Sequence, residues 1–376
     1  MLKILIDATG ITNKLGGVGR YSYQLLQAFS RIDSANEYWI LFQNELSKDH
    51  PVWQLASNKL HLIPTKLPAI GPKRQIHFAR YYSKMDVEVF HCLNSFSPLF
   101  HRYPTVITIH DIKYLKYPTW LSGKSRIKSW YLKRSTIIGA RKAKRIIAVS
   151  KSTKEDLIQF VGVDENKIDV IYEAAEFFDD SLAEETLPDD CAFTKPYLFF
   201  LGEKRPHKNI EGLIRAFALF KRKYDRWNTK LVISGREYSN YRNYLAKTQE
   251  LSLEKDIFYT GLVPDDQLAL LYFNAEIFIF PSFYEGFGLP ILEAMQHGTP
   301  VITSNTSSMP EIAGNAALLI DPHNEEEIAD AILRIMKSST FANKLRKRGY
   351  ERVKQFSWEK TAQATLEVYK QFAINK

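Results

Sequence analysis

From Pro281 to Glu293 the chain reads PSFYEGFGLPILE, an apolar strand end running into a glycine-punctuated loop that opens a helix. A helix N-terminus offers unpaired N–H groups and the positive end of a dipole, a seat for phosphate or sugar oxygens. Gly286 and Gly288 let the backbone approach a ligand closely, and Phe287 and Leu289 flank them. Glu285 stands in the loop and Glu293 in the helix behind it. As a bare pair these carboxylates also fit two surface charges. Only the whole string around them sets them apart from that reading.

Four further constellations lie on loops after apolar strands. Leu15 to Tyr21 (LGGVGRY) follows the first strand, and His110-Asp111 follows another. Leu201 to Asn209 (LGEKRPHKN) is a basic loop carrying Arg205 and Lys208, and Gly261-Leu262-Val263-Pro264 is a short turn. Each has a plain structural alternative. Gly16-Gly17 permits a turn, His110-Asp111 fits a satisfied turn, and Lys-Asn opening a helix fits cap chemistry. The first loop lacks the G-x-G-x-x-G spacing of dinucleotide-binding enzymes, which disfavours a nicotinamide oxidoreductase.

Taken in order along nearly the whole chain, these five motifs resemble the retaining glycosyltransferases of family 4, which have the GT-B fold. Glu285 to Glu293 is similar to the family's paired-glutamate motif. The resemblance implies that Glu293 holds the ribose hydroxyls and that Glu285 binds hydroxyls of the transferred sugar. Lys208 and Arg205 would neutralise the diphosphate leaving group, where charge grows as the glycosidic bond breaks. Gly16 and Gly17 would offer backbone donors to the same phosphates, and Gly286, Phe287, Gly288 and Leu289 would supply N–H groups on the sugar side. Val263 would lie by the nucleotide base. His110 and Asp111 would sit near the anomeric carbon and the acceptor, making them, with Glu285, the catalytic candidates. Many members carry Arg directly before the Lys-Asn of the basic loop; His207 stands there instead, and Arg205 is the other candidate for that charge. The chain contains no D-x-D. The resemblance therefore implies a nucleotide diphosphate sugar as donor substrate, with no metal and no cofactor. It also implies transfer with retention by front-face attack, with a leaving phosphate oxygen taking the acceptor's proton.

The positive charge is concentrated. The 376 residues hold 51 Lys and Arg against 42 Asp and Glu, a net charge of +9. From Ile112 to Lys154 there are 13 basic residues and no acidic one, which leaves 38 basic against 42 acidic elsewhere. Trp120, Trp130, Tyr131 and several Ile are interleaved, and Ile127, Tyr131 and Ile138 share one face of a helix expected over residues 124–143. Basic residues with interfacial aromatics suit an amphipathic surface helix on an anionic membrane. The alternative is a solvated basic helix with its aromatics in the core. Nucleic acid is not implied, because no recognition motif accompanies the charge.

Positioning these loops requires two βαβ series. Buried strands are expected at Leu2–Ile6, Tyr38–Phe42, Leu60–Ile63, Val87–Cys92, Val106–Ile109, Arg145–Val149 and Lys167–Ile171. The second series is Tyr197–Leu201, Leu231–Ser234, Ile257–Tyr259, Ile277–Phe280, Val301–Thr303 and Ala317–Ile320. Helices are expected at Val18–Arg31, Lys151–Phe160, Asn209–Lys223, Ser239–Leu251, Asp265–Asn274, Gly288–Gln296 and Trp358–Ala373. Ser150 or Ser152 caps the second of these, with Glu155 in its first turn. An acidic stretch from about Glu173 to Lys195 reads as a surface linker. The expected class is α/β, GT-B: two Rossmann-like doubly wound parallel-sheet domains facing across a cleft. The expected divisions are 1–175 (acceptor domain), 176–196 (linker), 197–355 (donor domain) and 356–376 (a helix packing back on the first domain).

The functional expectation is a hexosyltransferase using GDP-mannose or UDP-glucose and acting on a saccharide or polyprenyl-diphosphate-linked acceptor in polysaccharide assembly. Alternatives are a sugar-nucleotide hydrolase or epimerase of the same fold, and a non-catalytic sugar-nucleotide-binding module. No run of about 20 apolar residues reads as a membrane span, and the N-terminus lacks a secretory pattern. The expected location is cytoplasmic, peripheral on the inner face of the membrane. Cys92 and Cys191 stand in no metal or redox spacing.

Overall fold

Strands that are apolar along their whole length must be covered on both faces, and parallel pairing with helical crossovers provides that cover. The computed structural model describes residues 1–13, 16–68, 70–121, 126–175, 193–236 and 241–373. The chain divides into two compact units, Met1–Glu173 with Phe356–Lys376, and Ala174–Gln355.

The first unit is built on seven strands: β1 (Lys3–Asp7), β2 (Glu37–Gln43), β3 (Leu60–Thr65), β4 (Val89–Cys92), β5 (Thr105–Ile109), β6 (Arg145–Ala148) and β7 (Ile168–Val170). They form one sheet in the order β3-β2-β1-β4-β5-β6-β7, with every pairing parallel. Its helices are α1 (Gly17–Ile32), α2 (Pro72–Tyr81), α3 (Lys113–Lys116), α4 (Arg126–Lys142) and α5 (Lys151–Asp156). The second unit holds β8 (Tyr197–Leu201), β9 (Lys230–Ser234), β10 (Ile257–Gly261), β11 (Ile277–Phe280), β12 (Val301–Ser304) and β13 (Ala317–Ile320). They form a six-stranded sheet in the order β10-β9-β8-β11-β12-β13, also parallel throughout. Its helices are α6 (Ile210–Lys223), α7 (Tyr241–Glu250), α8 (Asp265–Asn274), α9 (Leu289–Gln296), α10 (Met309–Ala313), α11 (Glu325–Met336) and α12 (Ser339–Val353). The chain then returns to the first unit with α13 (Trp358–Ala373), which packs on α1.

Each sheet reverses its winding once, between β1 and β4 in the first unit and between β8 and β11 in the second. In open α/β sheets, ligands bind beyond the carboxyl ends of the strands at such a point.

Several expectations are corrected. Residues 72–81, where no helix is expected, form α2. Its buried residues are Arg74, Gln75 and Phe78, so its inner face is largely polar and shows no apolar stripe in sequence. Arg74 is buried because its guanidinium is paired with Asp7 and donates to the carbonyls of Phe96 (2.9 Å) and Pro68 (2.8 Å). That arrangement compensates the cost of burying both charges. The helix expected to reach Phe160 stops as an α-helix at Asp156 and continues as a π turn, Leu157–Val161, ended by left-handed Gly162. Ser150 is its cap, accepting from the Thr153 N–H, and Glu155 lies beyond the first turn. Leu15, Ala69, residues 122–125, most of the expected linker (176–192, with Cys191) and residues 239–240 lie outside the described residues.

Candidate active site

In the second unit, β8 and β11 flank the winding reversal, and the loops that follow them meet. The Phe283 N–H donates to the His207 carbonyl at 2.8 Å, which fixes the basic loop against the glutamate loop. Lys208 Nζ then lies 2.7 Å from Glu285 Oε1, with each side chain 13% exposed. The ammonium also stands over the Phe280 ring, 4.6 Å from its centre, a placement favourable to a cation. The loop after β12 holds Glu285 from behind. Ser307 Oγ accepts from the Glu285 N–H at 3.2 Å, and Ser308 Oγ donates to the Glu285 and Phe287 carbonyls at 3.1 and 2.7 Å. Gly288 then turns the chain with φ of 109°, a conformation that favours glycine. The helix α9 that begins at Leu289 has no side-chain cap at its start; Pro290 carries no N–H and the Ile291 N–H donates to the Gly288 carbonyl at 3.0 Å, so the helix presents to an anion chiefly the positive end of its dipole.

Glu293, one helical turn inside α9, is buried and accepts from the Tyr272 hydroxyl at 2.8 Å. The Tyr272 ring is stacked on His297, whose Nδ1 donates to the Glu293 carbonyl at 2.7 Å. Tyr272 on α8, braced by the His297 ring at the C-cap of α9, therefore sets the direction of one carboxylate.

In the first unit, α1 also begins without a side-chain cap, at Gly16, and a side chain added to Gly16 or Gly17 would meet no atom within 4 Å. His110, at the end of β5, has Nδ1 2.8 Å from Glu173 Oε1 and Nε2 3.1 Å from the Leu93 carbonyl. Burial alone would pull this imidazole down. The bond to Glu173 and its charge, the Leu93 carbonyl and Asp111 together hold it above its ordinary value. The Tyr21 ring meets the imidazole edge-on at 4.6 Å. Asp111 pairs with Lys113 at 2.6 Å; burial would push its carboxyl up, but that lysine holds it below the usual range.

The structure thus joins Lys208 to Glu285 and places Gly286, Phe287, Gly288, Leu289 and Glu293 on the turn and helix behind them. Arg205 is not part of that junction: it is 39% exposed and pairs with Glu203 at 2.6 Å. His207 is buried and contributes its carbonyl. Val263 is half-buried after β10, beside Gly261, whose carbonyl accepts from the Gly235 N–H.

Two family models match these segments, Glycosyltransferase Family 4 over residues 15–175 and Glycosyl transferases group 1 over residues 188–352. The O-antigen chain mannosyltransferase B of Escherichia coli is 30% identical over 393 aligned positions, covering 98% of this chain and 100% of that protein. The chain belongs to the family 4 (group 1) glycosyltransferases. The glycosyltransferase has the GT-B fold. It matches sucrose-phosphate synthase from Thermosynechococcus elongatus with a TM-score of 0.78 at 21% identity, covering 100% of both chains. It matches Anabaena HepE, solved with UDP and glucose, with a TM-score of 0.73 at 19% identity, covering 98% of this chain and 100% of that one.

Sequence reading of the glycosyltransferase missed several contributors to these sites. Glu173 falls in the stretch expected to be an acidic surface linker, yet its side chain is 5% exposed and bound to His110. A glutamate two residues after a buried strand end carries no sign of a partner 63 residues earlier. Tyr272, Ser307 and Ser308 were equally silent. Lys204 is fully buried with its ammonium 4.3 Å from the Tyr241 ring centre, although its loop reads only as basic.

Proposed function

We propose that this glycosyltransferase moves a hexose from a nucleotide diphosphate sugar to a saccharide or lipid-linked oligosaccharide in polysaccharide assembly, with retention and without a metal. The observation that carries this reading is the Lys208–Glu285 pair at the winding reversal, beside the uncapped start of α9. In this reading Lys208 and the positive end of the α9 dipole hold the diphosphate, Glu293 takes the ribose diol and Glu285 takes hydroxyls of the hexose. As the bond from C1 to the phosphate oxygen breaks, negative charge grows on that oxygen and Lys208 neutralises it. The acceptor hydroxyl bonds to C1 on the same face, and its proton passes to the departing phosphate oxygen. Mannose is the favoured hexose, because the relative similar over its full length is a mannosyltransferase; the neighbour solved with UDP and glucose makes glucose the second choice. Calorimetry with GDP and UDP, EDTA present throughout, tests the donor site. Micromolar binding of one nucleotide over the other is the expected result and selects the donor for turnover assays. Binding of neither would overturn the donor-site assignment.

A membrane-bound acceptor is the finer part of the reading. The loop at 95–99 links α2 to α4: Gln75 bonds to Leu99 and Ser97, and Thr136 bonds to the Ser95 carbonyl. No acidic residue occurs in α2, in residues 93–104 or in α4. Ile76, Phe100, Ile127 and Trp130 on these elements are between 63% and 80% exposed, while Tyr131 and Ile138 are half-buried. Apolar tips among lysines and arginines fit the interface of an anionic bilayer. No helix among the described residues is long and apolar enough to cross a membrane. Vesicles containing phosphatidylglycerol should sediment the protein at low salt, and Trp130→Glu with Ile127→Glu should reduce the bound fraction at least tenfold. Equal binding of the variant, or none by the native chain, would remove this part of the proposal.

A further inference from the structure

The imidazole of His110 lies between two acceptors, the Glu173 carboxylate at 2.8 Å on Nδ1 and the Leu93 carbonyl at 3.1 Å on Nε2. A carbonyl can only accept, so Nε2 carries a proton. Opposite Nδ1 the proton belongs either to the ring or to the carboxyl, and the ring is the stronger base by about two pH units in ordinary surroundings. Both nitrogens therefore donate. This pairing was set up by two different strand ends, β5 for His110 and β7 for the segment bearing Glu173. The contrast with His91 on β4 is instructive. That ring bonds Thr108 at 2.9 Å and the Tyr369 hydroxyl at 2.5 Å, partners that can donate or accept. It is held neutral, pulled down to about 3 by burial and by the charge of His110. Thr108 in turn meets the Tyr21 hydroxyl at 3.3 Å, and the Tyr21 ring closes on His110. The groups around His110 are thus Glu173, Asp111, neutral His91 and the Tyr21 ring.

We propose that Glu173 is a positioning residue of the transfer reaction, holding His110 as a doubly protonated, fixed cation that cannot act as the base for the acceptor hydroxyl. The inference rests on the glycosyl-transfer reading of the site. A fixed cation at the carboxyl end of the sheet favours an anionic leaving group, whereas a base would need an unprotonated ring nitrogen. The ring loses this charge only as pH rises through its raised value, so the transfer rate should fall on the alkaline side.

The test has two arms. Long-range proton–nitrogen spectra of the full chain labelled with 15N-histidine should show His110 protonated on both nitrogens at about pH 7.5, and Glu173→Gln should give a singly protonated ring at that pH. In turnover assays, Glu173→Gln should shift the alkaline limb of kcat down by about one pH unit or more, with near-native rate recovered at about pH 6 and little change in KM. A neutral His110 in the native spectrum, or a superimposable pH profile of the variant, would overturn the proposal. If Glu173→Gln fails to fold, the native spectrum alone decides. If the native chain transfers no sugar, the proposed function fails while the spectrum still reports the ring.

Discussion

Glu285→Gln should leave nucleoside diphosphate binding intact or tighten it, while lowering the rate of sugar transfer about a hundredfold. The reason is the ion pair itself. Lys208 and Glu285 neutralise each other at 2.7 Å in a largely shielded place, so an incoming diphosphate must draw the ammonium away from a carboxylate and tolerate that carboxylate nearby. Glutamine removes both costs. It also removes a charged acceptor for the hexose hydroxyls, and bonds to charged groups are about twice as strong as neutral ones. The loop should survive the change, because Ser307 and Ser308 hold residue 285 through its backbone. Lys208→Met should behave oppositely and lose both diphosphate affinity and rate. Calorimetry of the nucleoside diphosphate beside initial rates with the nucleotide sugar separates the two. A Glu285→Gln enzyme that binds the diphosphate tenfold more weakly would place Glu285 on the phosphate side and refute the assignment.

What sequence reading captured of this protein follows from where its physical signals are local. Strands such as Tyr197–Leu201 and Ile277–Phe280 were readable to the residue, because a run buried on both faces is apolar at every position. The terminal helix Trp358–Ala373 was readable for the analogous reason, a single apolar stripe. The loop motifs were readable because glycine, lysine and glutamate at loop positions have few structural uses in that combination. Sheet order was not readable, since neither the neighbour of β1 nor the reversal at β8 and β11 is written in any local pattern.

Polar burial was the blind spot. Arg74 and Gln75 hide α2 from a search for apolar stripes, although Arg74 is spent on Asp7 and two carbonyls inside the unit. Glu173 and Lys204 are hard to place for the same reason: composition sees the charge, and only the fold supplies its partner. Arg205 is the converse case, a half-buried cation that the fold pairs with its near neighbour Glu203. Buried polar side chains are held by particular partners far away in sequence, and so they carry most of what the structure adds about function.

Glu293 is the place where such a partner should be measurable. Its carboxylate is buried, and the Tyr272 hydroxyl at 2.8 Å directs it. If the carboxylate binds the ribose diol, Glu293→Ala should raise the donor KM about tenfold to a hundredfold with a smaller effect on kcat, since hydrogen bonds to a charged group contribute about 1.5–3 kcal/mol and this one is made equally in the ground and transition states. Tyr272→Phe should raise the same KM by less, because it loosens the carboxylate without removing it. The double variant should then be no worse than Glu293→Ala alone, because the tyrosine would act only through the glutamate. Non-additivity of this kind is what residues in one hydrogen-bond network show. Full additivity would mean that the Tyr272 hydroxyl supports the site by a route that does not pass through the Glu293 carboxylate. A kcat loss equal to the loss in kcat/KM would move Glu293 from ribose binding to the reacting bond.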